Sequence, residues 1–117
     1  MRLLLIIALS FIWINSNAQL LKTKLEITVL NTTGNPEAGA EVMLYASEDD
    51  YLAGKNAIEG KKFTDSNGEV LYKDLAAKSY YIQAQKGKAD NYGESEKTIP
   101  LEAGKKNKVT VIITEGN

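Results

Sequence analysis

The sequence predicts an all-β sandwich of about seven short strands, and three observations predict it. Apolar and polar residues alternate with period two in one segment after another, the pattern of strands with one buried face. Beyond the first eighteen residues, no stretch of about eleven carries apolar positions at helical spacing. Gly, Asn and Pro interrupt the alternation at short intervals, as turns do in sandwiches and barrels.

The N-terminus stands apart. Met1-Arg2 is a short basic start, Leu3 to Ile14 is a nearly continuous apolar run, and Asn15 to Ala18 turns small and polar. Ser16 and Ala18 occupy the small-residue positions that a signal peptidase reads, so residues 1–18 read as a signal peptide cleaved before Gln19. The apolar run is about 12 residues, short of the roughly 20 that span a bilayer as a helix. The expectation is a single exported domain, residues 19–117, periplasmic or secreted, with no membrane insertion after cleavage.

Within that domain the strands read in order. The first is Lys24–Leu30, with Leu25, Ile27 and Val29 on one face. Asn31 to Gly39 is dense in turn residues, and Gly39-Ala40 is expected to let the next strand start close against a neighbour. That strand is Ala40–Ala46, with Ala40, Val42 and Leu44 inward, and 47–60 follows as an irregular stretch. Lys61–Asp65 is a short third strand, Asp65-Ser66-Asn67-Gly68 a turn, and Glu69–Asp74 a fourth strand burying Val70 and Tyr72. Ser79–Lys86 is the fifth, with Tyr80, Ile82 and Ala84 inward, and 87–95 a polar loop. Glu96–Leu101 is the sixth, an edge strand because Pro100 cannot donate to a ladder. Lys108–Thr114 is the last, with Val109, Val111 and Ile113 inward. Seven strands in about 100 residues is the size of an immunoglobulin-like Greek-key sandwich.

Composition narrows the function. The chain is 44% hydrophobic, too apolar for disorder. Without Arg2 it carries 13 lysines against 15 acidic residues, interspersed along the sequence rather than in blocks, which argues against a nucleic-acid partner. There is no cysteine and no histidine, so disulfides, Cys/His zinc sites and imidazole bases are excluded and no cofactor is expected. The Gly-Lys pairs at 54, 60 and 104 are not followed by Ser or Thr, so no phosphate loop is present. Ser79/Lys78 and Ser95/Lys97 are the available serine–lysine pairs, and neither has an orienting third group in the sequence. Glu48-Asp49-Asp50 and Asp65-Asn67-Glu69 offer oxygens to a hard cation but lack the spacing of a helix–loop–helix calcium site.

The stretches GNPEAGAEVMLY (34–45), TDSNGEVLYKDL (64–75) and SYYIQA (79–84) together resemble the carboxypeptidase regulatory-like domain, grouped with transthyretin-like (prealbumin-like) and Cna B-type modules. The matching positions are Gly34, Pro36, Gly39, Ala40, Val42, Thr64, Asp65, Gly68, Val70, Tyr72, Leu75 and Tyr80. The Asn-Ala-Gln end of the leader resembles that of exported Bacteroidetes proteins. The resemblance implies the transthyretin-like sandwich and a non-enzymatic accessory role. In that setting Asp65 is expected to cap its own turn and the Tyr80 hydroxyl to bond nearby backbone at a sandwich corner. Cna B-type modules can carry a Lys–Asn crosslink. Lys22 or Lys24 and Asn107 or Asn117 are the residues available, but the acid that the family places before a Pro-Gly-Tyr segment is missing.

The expected function is therefore a free-standing interaction or structural module of the cell envelope, with another envelope protein or an extracellular ligand as partner. Met43, Tyr45, Leu71, Tyr81 and Ile112 fall on the outward side of the alternation, and Tyr51 and Tyr92 lie in the two long loops, so these seven form the candidate surface. The alternative is a carbohydrate- or calcium-dependent ligand domain using loops 47–60 and 87–95.

Overall fold

The computed structural model describes residues 22–116. The expected leader, residues 1–18, lies outside them, as does Asn117. Among the described residues, eight strands and one short helix follow in the order β1 (Lys24–Leu30), β2 (Glu41–Tyr45), α1 (Glu48–Ala53), β3 (Lys62–Phe63), β4 (Glu69–Tyr72), β5 (Tyr81–Lys86), β6 (Ala89–Asp90), β7 (Lys106–Ile112) and β8 (Thr114–Glu115). They form two sheets, β4-β1-β7 and β3-β2-β5-β6-β8. The fold is the all-β sandwich that the alternation predicts.

The first and last long strands lie side by side and parallel, from Lys24↔Lys106 to Leu30↔Ile112. Ile113, 2% exposed, is where the chain then leaves one sheet for the other: its N–H bonds Leu30 O at 2.9 Å, and the next two residues pair with β6. Between the sheets Leu25, Ile27, Val29, Val70, Tyr72 and Val111 meet Ala40, Val42, Leu44, Ile82 and Ala84, all buried in one cluster closed by Tyr80, Leu101 and Ile113. Each large side chain contributes about 1.5–3 kcal/mol on burial, and without disulfides this cluster holds the domain together.

Turn chemistry follows the expected residues. Asp65 Oδ1 accepts from Asn67 N at 2.9 Å and Glu69 N at 3.0 Å, and Gly68 turns with φ +75°. The Tyr80 hydroxyl donates to Ala76 O at 2.8 Å, the expected corner bond. Thr64 Oγ1 accepts from Ala40 N at 2.8 Å and donates to Glu37 O at 2.5 Å, tying the start of β2 to the turn before it.

Four expectations need correction. The 47–60 stretch is not irregular throughout: α1 starts at N-cap Ser47, whose Oγ accepts from Asp50 N at 3.1 Å, and ends at Gly54. Six residues fall below any helical-period window, so only the cap pattern could reveal it. Glu96–Leu101 is not a strand. It makes one bridge, Tyr81↔Lys97, closed by Ile82 N to Glu96 O at 2.7 Å and Thr98 N to Tyr80 O at 2.8 Å; the Tyr80 N–H then goes to the Thr98 hydroxyl at 3.0 Å and Ile99 swings out, 81% exposed. The far end of β5 is paired instead by a two-residue strand, β6, inside the expected polar loop. Finally, Gly39 has φ +72° with open space around it, so it serves conformation and not close approach.

Among the described residues, one core group lacks a partner. The Tyr72 hydroxyl is buried with no hydrogen bond, and burial holds its proton on well above the usual phenol range. Tyr72→Phe removes that desolvated oxygen. It is expected to leave stability unchanged or to raise it by about 1 kcal/mol, read as a higher Tm in a thermal melt.

Candidate functional site

On the outer face of the five-stranded sheet, antiparallel pairing sets Tyr45 opposite Tyr81, Met43 opposite Gln83 and Glu41 opposite Gln85. α1 lies across the tyrosine end. Its Tyr51 ring meets Tyr45 edge-on, with centroids 5.8 Å apart and planes at 75°, and lies tilted against Tyr81 at 5.7 Å and 30°. The Tyr51 hydroxyl donates to Glu96 Oε2 at 2.5 Å, strapping the helix to the segment beside β5. Burial, then the Glu96 carboxylate, pushes the Tyr51 pKa up, so the hydroxyl keeps the proton it donates. Lys97 Nζ stands 5.6 Å from the Tyr81 ring centroid, within cation–π range.

The loop after β6 is organised by one residue. Asn91 is 2% exposed. Its Oδ1 accepts from Ala84 N and its Nδ2 donates to Ile82 O, both at 2.9 Å. The amide thus continues the ladder of β5 where the backbone of β6 departs, and Ile82 N resumes pairing with Glu96 O at 2.7 Å. Residues 92–95 are left to project, and Tyr92 N is held by Asp90 Oδ1 at 3.0 Å. Tyr92 is consequently 83% exposed, and it lines the same hollows as Leu52 of α1, 73% exposed. Two hollows adjoin these side chains. One of about 210 Å³ has Gln83, Gln85 and Asp90 beside Tyr51 and Tyr92. The other, about 610 Å³, runs past Glu48, Tyr81 and Lys97.

The seven residues of the expected surface therefore divide. Met43, Tyr45, Tyr51, Tyr81 and Tyr92 share the helix-covered face, although Tyr45 is 1% exposed because α1 lies over it. Leu71 and Ile112 lie on β4 and β7, on the outer face of the other sheet. Leu52 and Asn91 were not anticipated. Leu52 could have been found from the Ser47 cap and the acids behind it, whereas a polar loop asparagine gives no sign of replacing a strand.

The other candidates resolve locally. Glu48, Asp49 and Asp50 occupy the first turn of α1, where carboxylates offset the helix dipole. Among the described residues no three acids stand close enough to hold a metal ion. Lys78 Nζ donates to Ala46 O at 2.6 Å, a backbone bond that occupies its ammonium group. Asn107 spends its amide on backbone, donating to Lys24 O, Glu102 O and Lys105 O, and the inward side of β1 is wholly apolar. Of the residues available for a crosslink, Asn107 thus meets the backbone of Lys24.

No family model and no curated protein matches the chain in sequence. The fold has counterparts among solved structures, and pilins of Gram-positive bacteria share this β-sandwich. A streptococcal ancillary pilin superposes with a TM-score of 0.61 at 18% identity, covering 81% of this chain and 33% of that one. The minor pilin of Streptococcus agalactiae gives 0.58 at 18% identity, covering 82% and 45%. The chain thus spans less than half the length of either pilin. The same fold recurs in hydroxyquinol 1,2-dioxygenase from Pseudomonas putida, with a TM-score of 0.53 at 8% identity over 82% and 57%. Likeness at this level establishes architecture, and function rests on the site.

Proposed function

We propose that this chain is a non-enzymatic sandwich module of the carboxypeptidase regulatory-like group, exported by its 1–18 leader, that holds a protein partner at the cell envelope through the face bearing α1. The observation that carries the reading is the pair Leu52 and Tyr92, large apolar side chains held in solvent by two anchored elements. An exposed aliphatic and an aromatic on a rigid base are the makings of a binding hot spot. The occurrence of this sandwich in an ancillary pilin and in a pilus backbone protein agrees with such a role.

The test places a photo-crosslinking p-benzoylphenylalanine at position 52, 92 or 110 in cells. One envelope protein is expected to crosslink from 52 and 92, and none from 110 on β7. Leu52→Asp with Tyr92→Ala should weaken that complex at least about tenfold, as loss of two hot-spot side chains does. Equal crosslinking from all three positions would sink the reading. A second reading, a carbohydrate ligand, is favoured by the 210 Å³ hollow, which sets the amides of Gln83 and Gln85 beside two tyrosine rings. It requires a rise in Tm with a neutral oligosaccharide, and that rise must vanish in Tyr92→Ala.

A further inference from the structure

Lysines that alternate with acids along the sequence gather in space on the outer face of the three-stranded sheet. Lys24 stands in register with Lys106, and Glu26 with Lys108. Lys73 follows directly on Tyr72, whose partner is Leu25, so it emerges beside Lys24. Lys22 precedes β1, and Lys105 accepts the Lys24 N–H through its backbone oxygen at 2.9 Å. Three distant stretches thus bring six lysines to one end of the sheet. The acids at that end are Glu26, bonded to Lys106 at 2.9 Å, Glu102, paired with Lys105 at 3.4 Å, and Asp74; Glu69 lies further along the face. Among the described residues, none of Lys22, Lys24, Lys73 and Lys108 has a carboxylate within 4.0 Å.

Like charges side by side across a sheet destabilise it. Lysines on an edge strand are explained by the protection they give against strand addition, which covers Lys106 and Lys108 on β7. It does not cover Lys24, because β1 is the central strand. We infer that this face is a docking surface for an acidic polysaccharide. The strands carrying these lysines stand about 4.8 Å apart, with same-face residues about 6.8 Å apart along each, so the positive charge extends in two directions over the face. The outward residues of β1, β4 and β7 include no aromatic ring for base stacking, and the described residues include no arginine for bidentate phosphate contact. Lysine point charges suit a flexible chain of carboxylates instead.

Alginate, a polyuronic acid, is the probe. The protein is expected to bind it at 20 mM salt and to lose about tenfold or more in affinity by 200 mM. Lys24→Glu with Lys108→Glu should abolish binding while leaving the thermal melt within a few degrees. Leu52→Asp on the opposite face should bind alginate as the parent does, which separates this surface from the proposed protein-docking site. The inference is overturned if the parent does not bind alginate, if the double variant binds it unchanged, or if oligothymidylate or phosphatidylglycerol vesicles bind more tightly than alginate.

Discussion

Asn91→Ala is expected to destabilise the domain by about 3 kcal/mol, enough to lower Tm by about 15 °C in a domain of this size. The side chain is small and polar, and the residue sits in a segment that reads as loop. Its importance comes from what it leaves behind. Ala84 N and Ile82 O are buried backbone groups of a core strand, and the Asn91 amide satisfies both. Alanine supplies neither donor nor acceptor, so two buried groups go unpaired, at about 1–3 kcal/mol each before any water reaches them. The damage should extend to the surface. Tyr92 projects because its neighbour is locked, so hydrogen exchange at residues 92–95 should rise together with that at Ala84.

Asn91→Asp sharpens this test through its pH dependence. The carboxylate can still accept from Ala84 N, but it cannot donate to Ile82 O unless it carries a proton. Burial and the facing carbonyl raise its folded pKa above the unfolded value. The folded state then binds more protons than the unfolded one between those two values, so the variant loses stability relative to the parent as pH rises. The gap between variant and parent should be smallest in acid and full at neutral pH. A gap that stays constant with pH would show that the amide's donor does not matter.

Why this residue could not be read in advance is a matter of range. β1 was legible residue by residue: Leu25, Ile27 and Val29 face the core and Lys24, Glu26 and Thr28 do not, which is all that period two encodes. The same pattern located β2, β4, β5 and β7, and the turn at Asp65–Gly68 announced itself by residue type. What failed was set by partners far away in sequence. Tyr45 was assigned to the surface because the alternation puts it outward, and outward it is, but α1 lies over it. The acids Glu48 to Asp50, read as part of an irregular stretch, are the first turn of a helix too short to show a period. The lysine cluster exists only once β1 and β7 are laid parallel in register, and β5 trades a strand for an asparagine only because the chain must leave to form the Tyr92 loop.

Gly68→Ala should cost more than the asparagine change, about 4 kcal/mol, and Gly68→Val should prevent folding at 37 °C. Two effects combine. With φ at +75°, any side chain pays about 1–2 kcal/mol for the left-handed backbone alone. A Cβ here would also stand 2.7 Å from Val29 O, and 3.1 Å from both Glu37 N and the Pro36 Cβ. These are fixed neighbours. Val29 N donates to Gly68 O at 2.7 Å, and Val29 O accepts from Glu37 N at 2.9 Å, so the oxygen that would have to move is the junction of β1, the β4 turn and the loop leading to β2. Moving it breaks one of those bonds or shifts Val29 within the core. Gly39→Ala isolates the first effect: its φ is +72° but nothing stands within 4 Å of the added carbon, so the loss should be about 1 kcal/mol. Equilibrium urea unfolding of the two alanine variants separates conformational cost from steric cost. If they are equally destabilised, the close approach of the Asp65–Gly68 turn to β1 is not what constrains position 68.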